Sequence, residues 1–263
     1  MAFAHAADDI TIGRGELYFY PFLTGTTTPS KDGRYLGNTP GFSLAASAEK
    51  IEHFSSDRGL KVKDRSVTLS VDYTGTMEVD NINVANLAAF FMGDKSTVTQ
   101  GSLSAQTETF AANTLTAGAY IQLGVTDANP QGHRNVTVSG VTLNAVSITL
   151  GTDYEVDAAA GMVHLLGGVT QAELGQALVV TYDVAATTRD RVVSAGTEVK
   201  GALKLLSFNP EGTKRDYLLP SVTMSPNGDF ALKGDDFQVM SFNLEVLAKN
   251  STTSAVYIDG RPA

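Results

Sequence analysis

The feature that most constrains the fold is a strict alternation of apolar and polar residues between positions 66 and 73. The apolar set is Val67, Leu69, Val71 and Tyr73. The polar set is Ser66, Thr68, Ser70 and Asp72. A period of two is that of a β-strand with one buried face and one face in water. We therefore predict a long strand whose apolar side, continued by Met77 and Val79, lies in a core.

Other segments carry the same type of signal, and one segment is helical. Strands are predicted over Gly15–Leu23, Gly41–Ala48, Thr197–Ser207 and Phe237–Leu247. The segment Asp80–Met92 has apolar residues at helical spacing, with asparagines suited to capping its start and Gly93 suited to its end. Its predicted buried stripe is Val84, Leu87, Ala88 and Phe91. The fold class is mainly β: a two-sheet β-sandwich or barrel flanked by one α-helix.

The middle of the chain changes character. Residues Lys95–Gly118 are rich in Ser, Thr, Gln and Ala and are predicted to form a linker. Short strands then recur at intervals of about 8–12 residues, separated by turn residues, as in a small immunoglobulin-like sandwich. We predict that residues 95–190 form a β-sandwich domain inserted into a discontinuous domain of residues 1–94 and 191–263.

Composition limits the classes of function. The net charge is −9, and no basic run occurs, which argues against specific binding to nucleic acid. Charged residues are 18% of the chain, below the roughly 25% typical of soluble domains, which suits a surface partly covered by neighbours. There are no cysteines. No secretory signal is expected at the start of the sequence, and no run of about 18 apolar residues predicts membrane insertion.

Motifs for catalysis or metal binding are weak. His5, His53, His133 and His164 lack metal-ligand spacing, and no nucleophile elbow or phosphate-binding loop is present. The acidic triplet at positions 153, 155 and 157 lacks the glycine and closing glutamate of a calcium loop. We therefore expect no enzyme activity, no cofactor and no metal site.

The order of elements around the helix resembles another class of protein. The matching pieces are the strand Gly15–Leu23, the segment Leu36–Leu44 (LGNTPGFSL), the polar segment Glu49–Gly59 (EKIEHFSSDRG), the alternating strand from Lys61, Asp80–Asn83 before the helix, and Gly93-Asp94 after it. In this order they resemble the major tail tube protein of long-tailed bacteriophages. The resemblance covers residues 15–94 and, less specifically, 197–248. The segment 151–161 resembles the inserted β domain of some such proteins.

The resemblance implies a structural protein of the virion, located in the phage tail and made in the host bacterial cytoplasm. Six copies would form a ring, and stacked rings would form a hollow tube that conducts DNA during ejection without binding it specifically. Further partners would be the tape-measure, tail-terminator and baseplate proteins. The inserted domain would decorate the outside of the tube.

Two surfaces are predicted from this reading. Glu49–Gly59, interpreted as a long loop or protruding hairpin tip, and the terminal segments Met1–Arg14 and Lys249–Ala263 would contact neighbouring subunits. The candidate contact residues are Glu49, Ile51, Glu52, His53, Phe54, Asp57, Arg58, Val256 and Ile258. The candidate lumen-facing residues are Ser66, Thr68, Ser70, Asp72, Ser241, Asn243 and Glu245. These side chains are small, neutral or acidic, as a wall that must not retain DNA requires.

Two alternatives remain open from the sequence. An immunoglobulin-like surface protein or adhesin explains the strands and the acidic balance equally well, but not the capped helix or the long polar segment. Another structural component of the same virus, from the baseplate or coat, is the nearer alternative.

Overall fold

The computed structural model describes residues 10–57 and 59–261. The chain is mainly β, with 52% strand and 4% helix, as predicted. It divides into two compact units: unit one contains the chain up to Lys95 and from Val192 onward, and unit two is Ser96–Arg191.

The strands and the helix follow one another along the chain in this order: β1 Gly15–Pro21, β2 Arg34–Tyr35, β3 Gly41–Ser55, β4 Val62–Val79, α1 Val84–Phe90, β5 Gly93–Gln100, β6 Leu103–Phe110, β7 Tyr120–Gln122, β8 Val136–Leu143, β9 Val146–Ser147, β10 Tyr154–Asp157, β11 Met162–Leu165, β12 Leu178–Val184, β13 Thr187–Ser194, β14 Val199–Ser207, β15 Arg215–Pro226, β16 Met240–Val246 and β17 Tyr257–Gly260.

Unit one is built on an eight-stranded antiparallel sheet. Its strand order is β2-β1-β14-β15-β16-β4-β3, and β17 lies beside β15. The strand β15 pairs with β17 through Arg215–Leu218 and with β16 through Val222–Pro226. Both ends of the sheet are therefore open, at the two-residue strand β2 and at the fifteen-residue strand β3.

The core of unit one lies on one face of this sheet. Along β16, Met240, Phe242, Leu244 and Val246 are buried, and the residues between them point away, as the alternating pattern predicts. Gly75 of β4 makes this packing possible because a Cβ there would lie only 2.5 Å from the Ser43 carbonyl oxygen and close to the side chains of Leu44 and Leu244.

The helix α1 is shorter than the predicted segment Asp80–Met92. It begins after Asn83, whose side chain accepts a hydrogen bond from the Asn86 backbone N–H, and it ends at Phe90. The predicted stripe is partly wrong, because Phe91 is exposed and the buried set is Asn86, Ala88, Ala89 and Phe90. The Phe90 ring packs edge-on against Phe242, with centroids 5.7 Å apart, which fixes the helix on the sheet.

Asn86 joins the helix to the segments before it. Its side-chain amide donates to the carbonyl oxygens of Leu36 at 2.7 Å and Asn81 at 2.9 Å, and its carbonyl accepts from the Arg34 guanidinium. Burial lowers the pKa of Arg34, whose guanidinium also lies 5.8 Å from the centre of the Phe19 ring. A buried amide with all of its polar atoms paired stabilises the fold.

Unit two contains a four-stranded sheet, β6-β12-β8-β9, and a three-stranded sheet, β10-β11-β7. Both sheets contribute to one core, which includes Leu123, Val141, Val163, Leu165 and Val180. The predicted linker Lys95–Gly118 is wrong over its first two thirds, because β5 and β6 occupy Gly93–Gln100 and Leu103–Phe110. Polar threonine- and serine-rich strands of this kind resemble linkers in composition because only a few of their side chains are buried.

We expect Asn86→Ala to lower the free energy of unfolding of unit one by about 2–4 kcal/mol, because it leaves two carbonyls and the Arg34 guanidinium without their partner. Urea denaturation followed by circular dichroism measures the change. Asn227→Ala is the control, since Asn227 is exposed after β15, and its effect should stay within about 0.5 kcal/mol. Equal losses in the two variants would contradict the role assigned to Asn86.

In unit two, burial and the nearby Glu108 carboxylate raise the pKa of Tyr182 to about 12 from 10.0. The folded state therefore holds this proton more tightly than the unfolded state. The resulting stabilisation is present below about pH 10 and is lost as the pH rises towards about 12. We expect Tyr182→Phe to lose less stability than the wild type between these pH values, measured by urea denaturation. An identical loss of stability in the wild type and the variant would contradict the raised pKa of Tyr182.

Candidate interaction surface

The hairpin of β3 and β4 extends beyond the sheet. β3 pairs with β4 from Gly41 to Ser55, but β4 pairs with β16 only from Tyr73 to Val79. Residues 47–57 and 59–72, which we call the distal hairpin, therefore form a two-stranded ribbon that no third strand of the described residues joins. Nine residues of strand correspond to a ribbon about 30 Å long.

The predicted core face of β4 is only half correct. Met77 and Val79 are buried, at 1% and 0% exposure, but Val67, Leu69 and Val71 are 51%, 55% and 51% exposed. The physical reason is that alternation indicates a strand with two different faces, whereas burial also needs an element that covers the apolar face. Among the described residues, nothing in the chain covers this face beyond Tyr73.

The predicted polar face of β4 is also divided. The pairs across the hairpin are Asp72–Ser47, Ser70–Glu49, Thr68–Lys50 and Ser66–Glu52. A register shift lies between Glu49 and Lys50, so that β4 carries one extra residue there. Because Ser47 and Glu49 lie on one face of β3 and Lys50 and Glu52 on the other, Ser66 and Thr68 do not share a face with Ser70 and Asp72.

As a result, apolar side chains lie on both faces of the distal hairpin. Ile51 and Val67 are paired on one face, with Ile51 59% exposed. Val71 and Phe54 lie on the opposite face by register and are also exposed, as is Leu69, the extra residue at the register shift. A two-stranded ribbon in water is marginally stable, and contiguous exposed apolar residues are typical of an interaction surface.

Charged side chains accompany this apolar surface. Glu52 forms an ion pair with Lys63, and His53 Nδ1 lies 2.5 Å from Asp64 Oδ1. Exposed pairs of this type contribute at most about 1 kcal/mol. Asp57 lies exposed in the turn. The candidate Arg58 lies outside the described residues.

The strand β3 is also an edge. Within the part of the chain that the structure describes, it is the last strand of the sheet and pairs only with β4, so that one row of its backbone N–H and C=O groups has no strand beside it. An edge of fifteen residues without proline is long compared with the short or interrupted edges that prevent uncontrolled pairing. This edge is suited to pairing with a strand of another chain.

A separate polar surface lies on the side of the sheet opposite the core. Ser241, Asn243 and Glu245 of β16 are in register with Glu78, Thr76 and Thr74 of β4. Those residues are in turn in register with Gly41, Ser43 and Ala45 of β3. We call this set the polar sheet face. It contains no lysine or arginine. The alternating pattern of β16 predicts such a face for three of its members, Ser241, Asn243 and Glu245.

The C-terminal segment is attached to its own unit. Val256, a predicted contact residue, packs against the core of unit one instead of standing free. Arg261 Nε donates to Asp216 Oδ2 at 2.8 Å, and this bond, foremost among several contacts, lowers the pKa of Asp216. Ile258 in β17 remains exposed. In the N-terminal segment, residues 1–9 lie outside the described residues, and Ile10 and Ile12 are exposed.

Unit one also has a cleft of about 760 Å³. Its apolar wall includes Leu17, Phe42 and Leu205, and the arginines Arg14 and Arg215 line its polar part. Among residues 10–57 and 59–261, no group of three or more histidine or acidic side chains is placed to hold a metal ion. Within the same residues, no helix is long and apolar enough to cross a membrane.

The sequence matches one family model over residues 10–257, which spans both units. The family is described as "Protein of unknown function UCP028589". No curated protein matches the chain.

The exposure of the distal hairpin predicts that its apolar residues contribute little to the stability of a single chain. We expect Ile51→Ser and Val67→Ser each to change the free energy of unfolding by less than about 1 kcal/mol, the range of a cross-strand contact. Met77→Ser, on the same strand but buried, should cost about 3 kcal/mol or more. Urea denaturation at low protein concentration tests this, and similar costs at all three positions would contradict the exposed ribbon.

Proposed function

We propose that this chain, which belongs to the UCP028589 family, is a structural protein that assembles with copies of itself into stacked rings of a phage tail tube. The observation that carries the proposal is the hairpin of β3 and β4. It combines an open fifteen-residue edge with apolar residues exposed on both faces of its distal half. The described residues of a single chain cover neither feature, whereas a neighbouring copy can cover both.

The first step is pairing between sheets. A sheet with two open edges can join edge to edge with the same sheet in another copy, and a closed ring removes every open edge. Six copies are proposed from the resemblance described above, and the sheets would then form a continuous inner barrel. Main-chain hydrogen bonds along β3 would supply this contact.

The second step is burial of the distal hairpin on a neighbour. The residues involved are Ile51, Phe54, Val62, Val67, Leu69 and Val71. Each is about half exposed and would gain about 1 kcal/mol on burial, or about 6 kcal/mol in total. Association costs on the order of 4–15 kcal/mol, so that hairpin burial alone is marginal. The hairpin and the edge must therefore act together, which favours a closed assembly over a simple pair.

The polar sheet face is proposed as the wall of the central channel. It carries Glu78 and Glu245 and no cation, and Asp72 of the distal hairpin continues the same face of β4. Two strands from β16, the strand β14 brings Lys200 and Lys204 to the same side. Lys200 is paired with Glu198, and the charge of Lys204 acts on Asp216. A neutral to acidic wall makes few phosphate contacts, so that DNA would pass through it without being retained. Ser66 and Thr68, which lie on the other face of the hairpin, are not part of this proposed wall.

Unit two is proposed to lie on the outside of the tube as an inserted small sandwich. Its two sheets, of four and three strands, share one core, which is compatible with this proposal. The hairpin of β3 and β4 belongs to unit one and not to this unit. The tape-measure, tail-terminator and baseplate proteins are proposed as the partners inside and at the ends of the tube.

Electron microscopy of the concentrated protein tests the proposal. The wild type should form six-membered rings or hollow tubes. Replacing residues 49–70 by Asn-Gly closes the hairpin with a two-residue turn between the paired residues Ala48 and Val71 and removes its distal part. We expect this shortened protein to fold, as measured by circular dichroism, and to remain monomeric.

Phe237→Ser is the matched control, because Phe237 is 97% exposed but lies in the loop before β16. This variant should still assemble. Normal rings or tubes from the shortened protein would contradict the role of the distal hairpin. A wild type that stays monomeric in electron microscopy and in analytical ultracentrifugation, with and without a preformed tail end, would contradict the proposed function.

A further inference from the structure

Three arginines of unit two gather around one loop. Arg189 Nη2 donates to Asn129 Oδ1 at 3.1 Å and to the Gly132 carbonyl oxygen at 3.4 Å. Arg191 Nη2 donates to the same Asn129 oxygen at 3.3 Å. Since two guanidinium groups share one acceptor, their charges lie within a few ångströms of each other. Arg134 is close enough that its charge, with that of Arg191, adds to burial in lowering the pKa of Arg189.

No acidic side chain neutralises this cluster. Within residues 10–57 and 59–261, the ion pairs are His53–Asp64, Lys63–Glu52, Lys200–Glu198 and Arg261–Asp216. The acceptors around the three arginines are all neutral amide or carbonyl oxygens. The chain has 28 acidic residues and only 19 lysines and arginines. Three adjacent unpaired cations are therefore unexpected from composition and need another source of negative charge.

One donor of the cluster has no partner. Arg189 Nη1 is buried and makes no hydrogen bond to any described residue. A buried charged donor left unpaired is costly, and native structures leave few of them. We propose that Arg134, Arg189 and Arg191 form a binding site for a phosphate group. The bound group would offset the repulsion among the three arginines, whose side chains are partly exposed.

The number of charges favours phosphate over a carboxylate. A carboxylate brings one negative charge, whereas a phosphate monoester or inorganic phosphate carries about −1.5 to −2 near pH 7. Phosphate also presents three or more oxygens, which several planar guanidinium forks can share. The proposed ligand is therefore inorganic phosphate or the terminal phosphate of a larger molecule.

The surrounding loop holds the arginines in place before any ligand binds. The His133 N–H donates to the Leu123 carbonyl at 2.7 Å, and Thr126 and Asn129 exchange backbone hydrogen bonds, which close the loop. Gln122 Oε1 accepts from Arg134 Nη1 at 3.1 Å, while Gln122 Nε2 donates to nearby carbonyls. A site whose groups are already positioned spends less free energy on ordering when it binds.

This inference does not depend on the proposed assembly, because all of its residues belong to unit two. Isothermal titration calorimetry on the full chain at constant ionic strength tests it, with inorganic phosphate and glycerol 3-phosphate titrated separately. We expect the wild type to bind at least one of them. Arg189→Gln and Arg191→Gln should each weaken binding at least tenfold, and Arg191→Lys, which keeps the charge but loses the fork, should weaken it less.

Arg215→Gln is the matched control, since it removes the same charge from unit one and should leave the affinity unchanged. Tighter binding of inorganic phosphate would identify the free ion as the ligand, and equal or tighter binding of glycerol 3-phosphate would identify the phosphate group of a larger molecule. Absence of binding by the wild type would overturn the inference. So would an equal loss in Arg215→Gln, which would indicate a general charge effect. Circular dichroism confirms that each variant is folded.

Discussion

The antiparallel pairing of β3 with β4 is the contact on which the rest of unit one depends. Near its base this pairing places Phe42 opposite Met77, which lies in the core. On its other edge, β4 pairs with β16. Beyond Tyr73 the same ladder continues without support from a third strand. One continuous hairpin is thus both a structural element of the sheet and an extension that the other described residues leave uncovered.

The sequence predicted the parts of unit one that depend on local pattern. Alternation identified β4 and β16, and asparagines before Val84 indicated the start of the helix, because a strand period and a cap are properties of a few neighbouring residues. Burial along β4 could not be predicted in the same way. Val67 and Met77 have the same pattern around them, and only the position of β16 in the folded sheet separates an exposed residue from a buried one.

The interaction surfaces were less accessible to sequence reasoning for a related reason. The register shift at Glu49–Lys50 depends on pairing between two strands, so that the even-numbered residues of β4 look equivalent in the sequence although they lie on two faces. The arginine cluster joins Arg134 in a loop to Arg189 and Arg191 in a strand far along the chain. The spacing of Arg189 and Arg191 suggests one strand face, but nothing in the sequence places Asn129 between them.

The charged residues of the distal hairpin restrict which strands can pair with its open edge. An open strand edge beside exposed leucine and valine would favour aggregation if any strand could pair with it. On the face that carries Val71, the register also places Lys50, Glu52 and Lys63, and Glu52 is paired with Lys63. A partner must match both these charges and the apolar residues between them, because a mismatched strand would bury a charge without a counterion. The polar residues therefore restrict pairing to complementary surfaces, and the apolar residues and the open edge provide the free energy once such a surface is found.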